Sequence, residues 1–313
     1  MTNHIPEIEF NFSNCCSGRC FICAQAHGRG NVPLMLSEVF DTACEQLQDV
    51  EFDTVQTSGN GDCFLHPEFF HWLQRIRSEF SRAVVVNYSS FALYTEDWAD
   101  AILGGHLIDR QFTRVDSLVP SIFQRSTGLN RNVVFCNLER FIRRNESVDL
   151  TIGYSSIPQY HRKCRAMLDK PPFHSPFTSA EVADMCDEYQ DIIEHFSAIP
   201  TRRPVQFYRI NQSLWAERED PRTPADEEAA CPKARLGILD RVLWICPNGD
   251  LSACGYDDSQ DTFIYGNILQ EHILEAWNGE RRRAVLEDIR ERRITTYPCK
   301  NPRCCKLYGD HNV

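Results

Sequence analysis

Cys16, Cys20 and Cys23 stand within eight residues, in the run Cys-Ser-Gly-Arg-Cys-Phe-Ile-Cys that follows the alternating stretch Ile8-Glu-Phe-Asn-Phe12. Thiolates are soft ligands that suit zinc and iron–sulfur clusters. Three of them at this spacing, on a loop leaving a strand, can wrap three corners of a four-iron cluster, whose full thiolate ligation takes four. The remaining iron is an open coordination position, and such a position is what separates a catalytic metal site from a structural one. A zinc site usually shows two separated Cys-x2-Cys pairs, or one pair with histidines. Zinc or inert thiols stay as the competing reading of the spacing, and Cys15 leaves Cys15-x4-Cys20 open beside Cys16-x3-Cys20.

A second cysteine group closes the chain. Cys231 comes first, then Arg241-Val-Leu-Trp-Ile-Cys246, Pro247-Asn-Gly-Asp250 and Leu251-Ser-Ala-Cys254, and finally Cys299, Cys304 and Cys305. Two short strands about a Pro-Asn-Gly turn read as a β-hairpin. Four thiolates among these cysteines suit a cluster or a structural zinc equally well. Between the two groups, Gly59-Asn60-Gly61-Asp62 offers glycines that permit close backbone approach and one carboxylate that can meet an ammonium. Asn87 and Ser89, Arg114 and Asp116, Tyr154, and Arg209 with Asn211 each fall at the end of an expected strand. An arginine is a good bidentate match for a carboxylate.

The elements that must position these residues follow from hydrophobic period and capping signals. Strands are expected at 8–12, 52–58, 83–87, 112–116, 148–154 and 205–210. Helices are expected at 36–48 behind Ser37, 68–80, 95–103 behind Thr95, 132–145 and 179–196. Strands alternating with helices of ten or more residues imply parallel βαβ units. Chemistry in a parallel barrel belongs at the C-terminal ends of its strands. Leu214 to Ala230 is acidic and proline-containing, which places a linker at 214–230 between a domain at 1–213 and one at 231–313. Short helices are expected at 269–277 and 279–292.

Composition narrows the class. The chain has 313 residues, 42% hydrophobic and 25% charged, as in ordinary globular proteins. It shows no membrane-length apolar run and no signal-peptide design, so a cytoplasmic location is expected. Fifteen cysteines in such a compartment read as metal ligands plus buried thiols, not as a disulfide framework. Cys44, Cys136 and Cys186 fall in helical patterns and are expected in the core. A net charge of −11 argues against a nucleic-acid groove.

The Cys16-x3-Cys20-x2-Cys23 motif after a first strand resembles the signature of the radical S-adenosylmethionine (SAM) superfamily. The resemblance implies a partial (β/α)6 barrel, a 4Fe-4S cluster on these three cysteines, and SAM chelated by the free iron. It implies that Gly59, Asn60, Gly61 and Asp62 stand where the family carries a Gly-Gly-Glu type motif for the SAM amino group, with Asn60 and Asp62 as departures. Ile22 would touch the adenine through its backbone, and Asn87, Ser89, Arg114, Asp116 and Arg209 would line the cofactor. The C-terminal order is similar to the SPASM and twitch domains, which implies a second 4Fe-4S cluster on Cys231, Cys254, Cys299 and one of Cys304 or Cys305. In a small α+β domain of that kind Cys246 would face the barrel mouth, placed to give a hydrogen atom to a substrate radical.

The function expected from the resemblance is reductive cleavage of SAM and hydrogen abstraction from a small polar substrate such as an aminosugar, cyclitol or nucleoside, ending in epimerisation or oxidation. A flavodoxin- or ferredoxin-type reductant is the implied partner, with no nucleic acid and no membrane. Two alternatives stand beside it: radical modification of a ribosomally made peptide, and a non-catalytic zinc-binding module. The start of the motif at residue 16 leaves no room before it for a leader-peptide recognition domain, which tilts the expectation towards the small substrate.

Overall fold

The computed structural model describes residues 3–21, 33–58, 61–158, 161, 175–209, 237–255, 263–291 and 293. Its architecture starts from the alternation in β1 (Glu7–Phe10), where Ile8 and Phe10 are fully buried and the two glutamates are not. Phe10 and, just beyond the strand, Phe12 pack on Phe40 of α1 (Ser37–Leu47). Phe12 also meets Phe69 and Trp72 of α2 (Phe69–Glu79), with ring centroids 5.4–5.9 Å apart across this set. Both helices present the required stripe, Val39, Phe40, Ala43 and Leu47 on one, Phe69, Trp72, Leu73 and Ile76 on the other. Burial of each such large side chain stabilises the fold by about 1.5–3 kcal/mol.

β1 is followed by β2 (Thr54–Gln56), β3 (Val84–Tyr88), β4 (Arg110–Val115), β5 (Asp149–Tyr154) and β6 (Gln206–Arg209), each parallel to the one before. The connections carry α1, α2 and α3 (Glu96–Gly104), then α4 (Pro120–Thr127) with α5 (Arg131–Arg144), and α6 (Ser179–Ala183) with α7 (Tyr189–Ser197). Six parallel strands with helical crossovers match the expected (β/α)6 partial barrel. Thr95 caps α3 as expected, accepting from Trp98 N.

The C-terminal hairpin does not form a sheet of its own. β7 (Val242–Ile245) pairs parallel with the free side of β1, from Glu7 opposite Val242 to Phe10 opposite Ile245. β8 (Asp250–Ser252) and β9 (Ile264–Asn267) add antiparallel, so the described strands form one sheet in the order β6-β5-β4-β3-β2-β1-β7-β8-β9. The expected Pro-Asn-Gly turn joins β7 to β8, with Gly249 at φ +88° where a side chain is disfavoured. α8 (Ile273–Asn278) and α9 (Glu280–Arg290) follow, and Gln46 of α1 clamps the start of this pair by donating to Ile268 O and accepting from Ile273 N. None of the described helices is long and apolar enough to cross a membrane.

Three local expectations are corrected. Ser37 is the first residue of α1 and not its cap, because Leu36 takes the extended cap position without a side-chain bond. The helix expected over 179–196 is broken, since Glu188 turns its carboxylate to accept from Ser117 Oγ and Leu118 N while its own N–H reaches Tyr154 Oη. Those contacts support the start of α4, a helix the sequence pattern did not signal. Of the three helical cysteines only Cys44 is buried, its thiol pushed up to about 12 by desolvation; Cys136 and Cys186 are exposed. Cys136 lies outside the buried stripe of α5, which is Val134, Phe135, Leu138, Phe141 and Ile142.

Candidate functional site

Strand alternation divides the candidate residues between two faces of the sheet. The outer face is the one packed on the helices, and the register carries it from Ile8 through Val55 and Val85. Asn87 shares a strand face with Val85, and Tyr154 pairs with Val115. The inner face carries Glu9, Gln56, Tyr88, Phe112, Arg114 and Gly153, whose positions are linked by the same pairings or by ring stacking of Tyr88 on Phe112.

At the C-terminal rim of β1 and β2 the cysteine loop is fastened from two sides. Asp62 N donates to Cys15 O at 2.7 Å, and a Cβ on Gly61 would lie 2.1 Å from Cys15 O and 2.3 Å from Ser13 O. No side chain fits there, so Gly61 holds the loop at backbone distance. On the other side Arg19 N and Phe21 N donate to Thr127 O and Ser126 O at the end of α4, which Gly128 closes at φ +71°. Asp62 is buried, and burial pushes its carboxyl up; Ser17 Oγ at 2.9 Å, Phe64 N at 3.2 Å and Ser90 Oγ at 3.4 Å oppose the shift. Ser90 is presented by a turn in which Phe91 takes φ 60°, an outlier for a bulky residue, held by Asn137 Nδ2 on Phe91 O.

Cys16 and Cys20 are both partly exposed on this loop. Gly18 N points at Cys16 Sγ from 3.4 Å, and Cys20 Sγ lies 3.8 Å from Thr127 O. Soft thiol donors on a fixed loop, one of them already accepting a backbone N–H, fit an iron–sulfur cluster, since hydrogen bonds to cluster sulfurs are part of how such sites are tuned. Cys23 and Ile22 lie outside the described residues, as do Gly59 and Asn60, and among the described residues alone no three ligands converge on a metal position.

Across the barrel, Arg114 and Asp116 do come together, Nε to Oδ1 at 2.8 Å. Asp116 is fully buried, which pushes its carboxyl up against the pull of Arg114. Ser155, which sequence reasoning missed, follows Tyr154 as Asp116 follows Val115, and extending the Val115–Tyr154 register by one step would set the two opposite each other. The signal for it was available in the alternation, two residues on from Gly153.

Two of the expected cofactor residues face away from the inner side, and these are corrections. Asn87 is buried in the helix layer, where Nδ2 donates to Thr57 Oγ1 at 2.9 Å and to Cys63 Sγ at 3.1 Å. Arg209 pairs in the sheet with Tyr154, binds Asp187 at 2.9 Å and lies over the Tyr189 ring at 4.6 Å. Both were chosen as strand-end polar residues, and a one-residue difference in register exchanges the faces. Ser89 is at the rim, but its hydroxyl caps its own turn by accepting from Phe91 N.

In the C-terminal region Cys246 directly follows β7, next in register to Asn11, whose N–H donates to Ile245 O. It shares a strand face with Trp244, which pairs with Glu9, so strand alternation puts Cys246 on the inner side. Cys254 follows β8, its N–H on Ser252 Oγ. Cys231, Cys299, Cys304 and Cys305, together with the acidic stretch 214–230, lie outside the described residues.

Comparison with known proteins agrees with this geometry. Residues 237–306 match the family model of the SPASM iron–sulfur cluster-binding domain. Among solved structures, BtrN in complex with AdoMet and 2-DOIA superposes with a TM-score of 0.54 at 14% identity, covering 95% of this chain and 92% of BtrN. Streptococcus suis SuiB bound to S-adenosylmethionine gives a TM-score of 0.58 at 12% identity, covering 97% of this chain and 72% of SuiB. The anSMEcpe enzyme with bound AdoMet gives 0.57 at 12% identity, covering 90% and 83%. No curated protein sequence matches the chain. The chain thus shares the partial-barrel fold of these solved structures, and its residues 237–306 resemble an iron–sulfur cluster-binding domain.

Proposed function

We propose that this protein is a radical SAM enzyme that abstracts a hydrogen atom from an unactivated C–H bond of a small polar substrate. The observation that supports it most is the cysteine loop fastened over the β1–β2 rim by Gly61 and Asp62, at the C-terminal end of a parallel barrel where its chemistry belongs. Cys16 and Cys20 with Cys23 would hold the first cluster, and Cys254 with Cys231, Cys299 and Cys304 or Cys305 the auxiliary one. When bound, the first cluster supplies the electron that cleaves SAM to a 5′-deoxyadenosyl radical.

The chain's own residues do the positioning. Asp62 would receive the SAM ammonium beside the loop; burial raises its carboxyl, and a cation against it favours the ionised form. Arg114 offers a guanidinium on the inner face for a carboxylate. Cys246, on the inner side by strand alternation, can give its thiol hydrogen to a substrate radical; the thiyl would need one electron and one proton back, and the auxiliary cluster would be the source of that electron. In that case the outcome is epimerisation. If the substrate radical instead loses a proton, with the auxiliary cluster as the acceptor that would take its electron, the outcome is oxidation. A flavodoxin- or ferredoxin-type donor would supply the electrons.

The match over 237–306 favours iron–sulfur ligation over zinc at the C-terminal cysteines. SuiB has also been solved bound to its precursor peptide SuiA, so a peptide substrate is the second reading. Incubation of anaerobically reconstituted protein with SAM and dithionite should release 5′-deoxyadenosine. Methylthioadenosine or S-adenosylhomocysteine as the main product would overturn the proposal.

A further inference from the structure

Among the described residues, buried polar atoms without a hydrogen-bond partner gather on β4 and just past β5: Gln111 Oε1, Thr113 Oγ1, both Asp116 carboxylate oxygens and Ser155 Oγ. Asp116 has the Arg114 ion pair at Oδ1 and nothing beyond it, and Ser155 has no partner. Gln111 and Thr113 alternate with Arg114 and belong to the outer face, so only Asp116 and Ser155 share the inner side. Buried polar groups in folded proteins are normally paired, so two orphans side by side on a barrel rim mark a place where a ligand completes the set. From Asp116 and Ser155 we infer a substrate subsite for a vicinal amino alcohol, its ammonium on the Asp116 carboxylate and its hydroxyl on Ser155 Oγ.

The inference deepens the proposed function and rests on it. The placement separates this subsite from the cofactor's amino acid group. Asp62, the expected partner of the SAM ammonium, closes the β2 end; β4 and β5 are two and three strands further on, roughly 10–14 Å away at ordinary strand spacing. An ammonium held on Asp62 at the β2 end would leave Asp116 for a second one. The chemistry also fits the site's charge. Asp116 Oδ2 is an acceptor with no donor among the described residues, and the Arg114 guanidinium is already paired with Oδ1. A cation with donor hydrogens fills the gap, and an adjacent hydroxyl meets Ser155, which can both donate and accept.

The test uses reconstituted holoenzyme with SAM and follows thermal unfolding in the presence of 2-deoxystreptamine and glucosamine, with myo-inositol and N-acetylglucosamine as their neutral counterparts. At least one of the two amines should stabilise the wild type saturably while neither neutral compound does. Asp116→Asn should weaken that binding about tenfold or more, and Ser155→Ala by a smaller factor, with SAM affinity unchanged in Ser155→Ala. Equal response to amines and neutrals, or an Asp116→Asn variant that still binds the amine, overturns the inference. Loss of SAM affinity in Asp116→Asn would give the site to the cofactor and overturn it too. If Asp116→Asn fails to fold, the amine response of Ser155→Ala decides. Iron content and dithionite-driven 5′-deoxyadenosine release are measured on the same samples, so failure of the enzyme reading shows separately.

Discussion

Two rims of one barrel treat a buried carboxylate in opposite ways. At the β1–β2 rim Asp62 collects Ser17, Ser90 and the Phe64 amide, and its own N–H holds the cysteine loop. At the β4–β5 rim Asp116 has the Arg114 guanidinium and Ser155 has no partner among the described residues. Burial raises the proton affinity of both carboxyls, so the difference lies in the donors around them. The three donors around Asp62 fix a loop that must hold its shape before anything binds, and the carboxylate's remaining acceptor capacity is what the SAM ammonium would take. An under-satisfied carboxylate is stable only as a neutral acid or against a ligand, and it marks where the molecule is completed from outside.

The largest expected break of this contrast is Gly61→Ala. The new Cβ would meet backbone oxygens of Cys15 and Ser13, which cannot rotate away as a side-chain tip can. Displacement of the loop should cost about 3 kcal/mol or more, and iron bound at the N-terminal site should fall while the C-terminal iron remains. Next comes Arg114→Met, which leaves Asp116 without its cation and should cost about 2 kcal/mol, discounted because Arg114 is partly exposed. The sign with pH follows from the raised carboxyl. Asp116's contribution is complete below the ordinary carboxylate value of 3.8 and is lost as pH rises through its higher folded value. Arg114→Met raises that folded value further, so its deficit in chemical denaturation should be greater at neutral pH than in mild acid. A deficit that does not vary with pH would dissolve the pair.

Ser17→Ala sharpens the other rim. It removes a 2.9 Å bond from a carboxylate that keeps two more donors, so a loss of about 1 kcal/mol is expected, with weaker retention of iron during gel filtration. The smallest effect belongs to the exposed cysteines. Cys136→Ser and Cys186→Ser should change stability by no more than about 0.5 kcal/mol and leave iron and sulfide content as in the wild type.

Much of this was legible from sequence because it is periodic or local. The βαβ alternation gave the six parallel strands, the Cys16 and Cys20 spacing gave the loop, and Pro-Asn-Gly gave the C-terminal hairpin. What was not legible depends on register and on distant partners. Asn87 and Arg209 look like rim ligands in sequence, yet each falls one residue from the inner face and is engaged by Thr57, Cys63 or Asp187. Glu188 broke an apparently continuous helical pattern because its carboxylate satisfies Ser117 and Leu118 some seventy residues earlier in the chain. The pairing of β7 with β1 joins the two ends of the sequence in one ladder, and no local signal encodes that contact.

The proposed chemistry needs two separate clusters, and iron and sulfide per chain after anaerobic reconstitution, wild type against a Cys16/Cys20/Cys23→Ala variant, measure them. About eight irons should fall to about four. About four irons falling to none would leave the C-terminal cysteines without a cluster and remove the electron carrier from both proposed outcomes. A content that does not fall at all would contradict the assignment of Cys16, Cys20 and Cys23, and with it the proposed SAM chemistry.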